Sequence, residues 1–243
     1  MTIISKDHSS NNQLYWVADN LIASEFPDVS SALRDPDGLL AIGGDLSAER
    51  LLTAYQQGIF PWYSEGQPIL WWSPDPRCVL IPENLKISRS LSKTIKKNIY
   101  QISFNKAFEK VIRACAEPRT NASGTWITDD MLHAYLELHE KGHAVSIECW
   151  HDEALVGGLY GIVIGKIFFG ESMFSRMSDA SKVALVHLTQ TLKSHDFKLV
   201  DCQVHSSHLQ SLGAIPMQRK LFISYLENFC CSSTFIEWPE QSL

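Results

Sequence analysis

Asp201, Cys202 and Gln203 are consecutive in Lys198 to Val204, a run whose apolar and β-branched content predicts a strand. Alternation along a strand places Asp201 and Gln203 on one face. A carboxylate and an amide held together can orient an amine and accept its proton. Glu171 stands in FFGESMFS, a second strand-like run with apolar neighbours. Carboxylates in such surroundings are unfavourable unless something pairs with them. The plainer reading is that all three are hydrogen-bonded structural residues.

Other chemistries find less support. His139 and His143 are four residues apart, but Gly142 between them ends the helix and destroys the shared face. No HExxH run is present, and no metal site is expected. There is no G-x-S-x-G elbow and no Walker A loop, and Gly43-Gly44 and Gly157-Gly158 are too short for a dinucleotide fingerprint. Cys202 reads as a core thiol. The six cysteines lack CxxC spacing, which predicts reduced thiols rather than zinc or disulfides. Trp62, Trp71 and Trp72 sit among prolines and could stack on a base, although most such tryptophans are core.

The elements that must carry these residues follow from periodicity. Ser47 caps a predicted helix to about Gln57, with Leu51, Leu52 and Tyr55 on its apolar face and Gly58 as the stop. Pro61, Pro68, Pro74, Pro76 and Pro82 then break regular structure, which suggests a small N-terminal domain over 1–77 and a larger one over 78–243. Residues 1–25 read as polar and loose. Ser88 caps a short helix to about Lys97, Tyr100 to Phe104 alternates like a strand, and Asn105 is expected to cap the next helix. Pro118 to Gly124 reads as a loop, and Thr128 starts a helix that Gly142 ends. Ala144–Trp150, Leu155–Ile164 and Ile167–Phe174 form an antiparallel meander, followed by an amphipathic helix from about Ala180 to His195. A short helix over Ser206 to Leu212 comes next, and Leu221–Leu226 is a strand or a helix. The order is α+β with a mainly antiparallel central sheet.

With 243 residues, 45% of them hydrophobic and 20% charged, the chain can build a full core and is not a disordered or coiled-coil protein. The net charge of −6 excludes a uniformly basic nucleic-acid sleeve. Lys86 to Arg113 nonetheless holds eight basic residues and one acid, a local +7 that leaves −13 elsewhere. Such an island suggests one place that meets an anion, against the plainer reading of a solvated face. The N-terminal stretch has no apolar core or small-residue cleavage site, and no run of about 18 apolar residues occurs. A cytoplasmic, non-membrane protein is expected.

GLLAIGGDLSAERLLTAYQQGIFPWY, ILWWSPDPR, GTWIT, LVGGLYG, FFGESMFS, ASK and DCQ, in that order, resemble the leucyl/phenylalanyl-tRNA–protein transferases over roughly Phe26 to Phe222. The resemblance implies a small N-terminal domain joined to a GNAT-type acyltransferase domain. It implies transfer of Leu, Phe or Met from charged tRNA to a protein with N-terminal Arg or Lys, whose product enters an N-degron pathway. GNAT folds usually hold acetyl-CoA on an R/Q-x-x-G-x-G/A loop. SRMSDASK stands there instead, so an aminoacyl-tRNA donor and no cofactor are implied.

By the same resemblance Asp201, Gln203 and Glu171 are catalytic. Gln203 would orient the attacking amine, Asp201 would polarise Gln203 or relay the proton, and Glu171 would hydrogen-bond the substrate amino group or help order the site. Leu159, Phe168, Met173, Leu185 and Leu188 match the aminoacyl pocket. Trp62 and Trp126 match tryptophans beside the terminal adenosine. Arg89, Lys93, Lys96 and Lys97 fall where the family's basic cluster meets the acceptor stem. The implied partners are aminoacyl-tRNA and acceptor proteins, with the enzyme a monomer. Two rivals stand beside this reading: a CoA-dependent N-acetyltransferase on the same fold, and a non-enzymatic tRNA-binding module.

Overall fold

The computed structural model describes residues 14–18, 25–118, 126–231, 236 and 238–239. Residues 119–124 of the Pro118–Gly124 loop and most of the loose N-terminal stretch lie outside the described residues; within that stretch Tyr15–Val17 forms a strand. Two sheets organise the chain. The smaller has β1 (Tyr15–Val17), β2 (Leu39–Gly43), β3 (Phe60–Pro61) and β4 (Leu70–Trp72), in the order β1-β2-β4-β3. Between β2 and β3 lies α1 (Ala48–Gln56), capped by Ser47 as expected. The proline-rich segment is irregular only in part: Pro68, Pro74 and Pro76 lie outside strands and helices, as expected, but Pro61 does not. Pro61 ends the two-residue strand β3, where a missing N–H costs little. Trp71 is fully buried, and its indole donates to the Gly43 carbonyl at 2.8 Å.

The larger sheet begins with β5 (Arg77–Leu80) and continues with β6 (Gln101–Phe104), β7 (Ala144–His151), β8 (Ala154–Ile164), β9 (Ile167–Ser175), β10 (Leu199–Gln203) and β11 (Ile215–Met217). Its order is β11-β5-β10-β9-β8-β7-β6, and every neighbouring pair is antiparallel except β9 with β10. That parallel pair needs a crossover, supplied by α5 (Ala180–Ser194). At Gly157 an added Cβ would strike Ala180, so the glycine lets the start of α5 approach the sheet.

One face of this sheet packs with α3 (Phe108–Ala116), α4 (Asp129–Glu140), α1 and α7 (Arg219–Phe229), the other with α2 (Arg89–Lys96) and α5. Residues 221–226, which periodicity leaves undecided, lie in α7. The short helix α6 (Ser207–Ser211) lies between β10 and β11. Asn105 does not cap α3. It adopts φ +56°, and its side chain instead accepts from the Ser146 N–H at 3.0 Å. The fold is α+β with a mainly antiparallel central sheet, as expected, and a separate four-stranded N-terminal sheet that the sequence did not show.

Candidate active site

Two bulges shape the site. Tyr160 pairs with Ser172 and Gly161 with Gly170, so Glu171 is the unpaired extra residue of β9. On β10, Asp201 pairs with Val79 and Gln203 with Cys78, so Cys202 is the extra residue there. A bulge bends its strand and re-aims its side chains. The pairing of β9 with β10 ends at Phe169 and Asp201, although β9 runs on to Ser175. The two strands part at that point, and a cavity of about 390 Å³ opens beside the gap. Its volume lies at the small end of ligand pockets, roughly 300–1,000 Å³.

The wall of the cavity draws on both faces of the sheet. Leu159, Phe168, Met173 and Leu185 belong with the α5 side, whereas Trp126, Tyr160 and Glu171 belong with the α4 side. Four of the five expected pocket residues are therefore brought together. Leu188 is fully buried in the core one turn further along α5 and is outside the lining. Trp126 lines the cavity; Trp62 does not, and lies on the N-terminal sheet, 43% exposed, with its ring 5.8 Å from that of Trp72.

Glu171 anchors a polar cluster that sequence periodicity did not reveal. The hydroxyls of Tyr55 and Tyr135 reach its Oε1 and Oε2 at 2.8 and 2.7 Å, and lie 2.5 Å from each other. Gln203 donates its Nε2 to Oε1 at 2.9 Å, which leaves Oε1 as the acceptor end of the amide. Burial pushes the Glu171 carboxyl up to about 7, with the hydrogen bonds from Tyr135, Tyr55 and Gln203 opposing and the Asp201 charge adding to the rise. Proton count agrees with that direction. Three oxygen contacts among Tyr55, Tyr135 and Glu171 share two hydroxyl protons when Glu171 is ionised, and three when it is protonated.

Asp201 is differently engaged. It is fully buried, and Arg77 grips both its oxygens at 2.8 and 2.7 Å. The guanidinium also donates to the Gly58 carbonyl at 3.2 Å and lies between the rings of Phe60 and Phe222, 4.6 and 4.8 Å from their centroids. Asp201 Oδ1 accepts in addition from the backbone N–H of Gln203 at 2.9 Å, which fixes that residue at φ +60°. Asp201 and Gln203 thus do lie close together, but through a bulge and a backbone bond rather than simple alternation.

Cys202 also lines the cavity. Its contact with Cys78, then burial, holds its thiol well above the usual range, so it stays neutral and is a poor nucleophile. Arg89, Lys93, Lys96 and Lys97 lie exposed on and just after α2, and none makes an ion pair among the described residues. No group of three or more His, Cys, Asp or Glu among the described residues could hold a metal ion, and no helix among them is long and apolar enough to cross a membrane.

An apolar pouch that ends in a carboxyl ringed by hydroxyls and an amide has the chemistry to hold a small molecule with an amino group at the base of an apolar side chain. The family described as leucyl/phenylalanyl-tRNA protein transferase matches residues 79–227, and its N-terminal domain matches residues 44–75. The chain is 57% identical over 205 residues to the leucyl/phenylalanyl-tRNA–protein transferase of Cellvibrio japonicus (strain Ueda107), covering 84% of this chain and 87% of that one. It is 52% identical over 225 residues to the enzyme of the same name from Pseudomonas fluorescens (strain Pf0-1), covering 93% and 99%. Among solved structures it is similar to a GCN5-related N-acetyltransferase from Kribbella flavida, at 10% identity over 68% of this chain and 59% of that one, with a TM-score of 0.33. The chain belongs to the leucyl/phenylalanyl-tRNA–protein transferase family and is an aminoacyltransferase.

Proposed function

We propose that this enzyme moves Leu, Phe or Met from aminoacyl-tRNA to the N-terminal Arg or Lys of an acceptor protein, forming a peptide bond and creating an N-degron. The observation that carries the reading is the joining of the apolar wall to the Glu171 cluster within one cavity. Leu159, Phe168, Met173 and Leu185 take the donor side chain, and Glu171 takes its α-amino group. An unbranched-at-Cβ apolar side chain fits; Ile and Val fit less well, though methylene-scale discrimination is only about 1–3 kcal/mol.

The donor ester is already activated, so no covalent enzyme intermediate is needed, in keeping with the neutral Cys202 thiol. The acceptor α-amine has a pKa of about 7.7–8.0, so roughly a tenth is free base at neutral pH. Gln203 Oε1 accepts an N–H from that amine and aims its lone pair at the ester carbonyl carbon. The C–N bond forms, the bond to the ribose oxygen breaks, and the amine's proton ends on that oxygen. Asp201, with both oxygens held by Arg77, serves by fixing Gln203 rather than by relaying a proton. Trp126 stacks on the terminal adenosine at the cavity, with Trp62 further out.

Arg89, Lys93, Lys96 and Lys97 grip the acceptor stem. Residues 1–77 and 78–243 act as an N-terminal unit and a GNAT-type transfer unit, joined at Arg77. The enzyme works in the cytoplasm as a monomer and without a cofactor. The test is transfer to an Arg-initiated peptide from tRNAs charged with Leu, Phe, Met, Ile and Arg. Label from the first three and little from the last two supports the reading. Absence of label with all five favours a tRNA-binding module, and binding of acetyl-CoA by calorimetry favours an N-acetyltransferase.

A further inference from the structure

Tyr160 is fully buried, yet its hydroxyl has no hydrogen-bond partner among the described residues. Its ring has ample packing. It meets Tyr135 edge-on at 5.6 Å and Phe108 edge-on at 5.8 Å. A phenylalanine would make the same contacts without burying an unpaired hydroxyl, which is unfavourable in a protein interior. The fold therefore gives no reason for the oxygen to be there.

Its position supplies one. Tyr160 stands on β8 opposite the β9 bulge, paired with Ser172, the residue after Glu171. It lines the same cavity as Glu171. Burial, with the Glu171 charge added, raises the Tyr160 hydroxyl well above its usual range, so it remains a neutral group with two lone pairs. An ammonium group has three N–H donors to place. Glu171 can take one, but its oxygens already receive Tyr55, Tyr135 and Gln203, and the two tyrosine hydroxyls also contact each other.

We propose that the Tyr160 hydroxyl is a substrate contact, its oxygen accepting a hydrogen bond from the α-ammonium of the aminoacyl donor beside Glu171. The inference rests on the reading that this cavity holds the aminoacyl group. It assigns Tyr160 a part in selecting donors with a free α-amine, which an apolar pouch alone would not distinguish from the corresponding des-amino acids.

The experiment compares wild type with Tyr160→Phe in calorimetric binding of two unreactive 3′-amide analogues. One is 3′-phenylalanylamino-adenosine; the other, 3′-(3-phenylpropionyl)amino-adenosine, lacks only the amine. The variant should bind the first about 10-fold more weakly, as expected for one hydrogen bond to a charged group. It should bind the second as wild type does, and should melt at the same temperature or higher. Equal weakening for both analogues would move the contact to the carbonyl and overturn the proposal. No weakening, or a lowered melting temperature in step with weakened binding, would return Tyr160 to the core. Wild type that shows no preference for the phenylalanyl analogue would overturn the cavity reading itself, and the Tyr160 proposal with it.

Discussion

Asp201 and Arg77 form a buried pair in which each charge depends on the other. Removing one partner leaves an uncompensated charge, so Asp201→Ala or Arg77→Met should each cost about 3–5 kcal/mol. The double variant should cost much less than the sum, which urea unfolding of the three proteins would measure. Activity lost in Asp201→Ala is therefore loss of a fold element as well as of chemistry. Glu171 gives a pH signature of opposite kind. Its folded pKa of about 7 lies above the ordinary 4.5, so the folded state holds a proton that the unfolded state releases first. Its contribution to stability is fully present below pH 4.5 and is lost as pH rises through about 7. The change should be on the order of 2–3 kcal/mol, allowing for solvent reaching the carboxyl through the cavity mouth. Glu171→Gln should flatten that part of the stability–pH curve; an unchanged slope would mean that the carboxyl titrates normally. Glu171, Asp201 and Gln203 were legible in the sequence as polar residues in apolar strands. Their partners were not. Tyr55 and Arg77 come from 116 and 124 residues away, and Tyr55 sits on a face that reads simply as apolar.

The central strands and most helices were legible, because each has a cap, a stop or an alternating pattern that acts locally. Ser47, Ser88 and Thr128 cap α1, α2 and α4 as their types suggest. The short strands β2 to β5 were not legible, since strands of two to five residues carry too little periodicity to stand against nearby prolines. The bulges were hidden for a different reason: alternation assumes an unbroken register, and one extra residue breaks it. On α5, Leu185 reaches the cavity and Leu188 does not. Met173→Trp should reduce Phe transfer while leaving the melting temperature near that of wild type, because it fills open volume. Leu188→Trp should instead destabilise the fold by about 1–3 kcal/mol through overpacking. Thermal melts run beside transfer assays would separate the two. On α2 the charges face solvent. Neutralising Lys93, Lys96 and Lys97 together should weaken tRNA binding and flatten the log–log salt slope by about 0.7–0.9 per lost phosphate contact. A 3′-aminoacyl adenosine, which has no stem, should be used equally well by mutant and wild type. An unchanged salt slope would leave the helix as ordinary surface.

Across the whole molecule the charge is uneven, with +7 in residues 86–113 and −13 elsewhere. An acidic body should repel nucleic acid and confine it to the basic segment. The site itself is assembled from the entire chain. Tyr55 comes from α1, Arg77 from the first strand of the large sheet, Tyr135 from α4, and Glu171 and Gln203 from two strands that part beside the cavity. In the proposed function the peptide bond forms at this gap, and Gln203 aims the attacking amine there. Single-turnover transfer from Phe-tRNA to an Arg-initiated peptide by Gln203→Ala tests it most directly, with Phe-tRNA affinity measured alongside. A rate lower by about 100-fold, the cost of a misplaced reactant, with affinity within twofold of wild type is the predicted result. A wild-type rate, or a loss explained entirely by weaker tRNA binding, would contradict it.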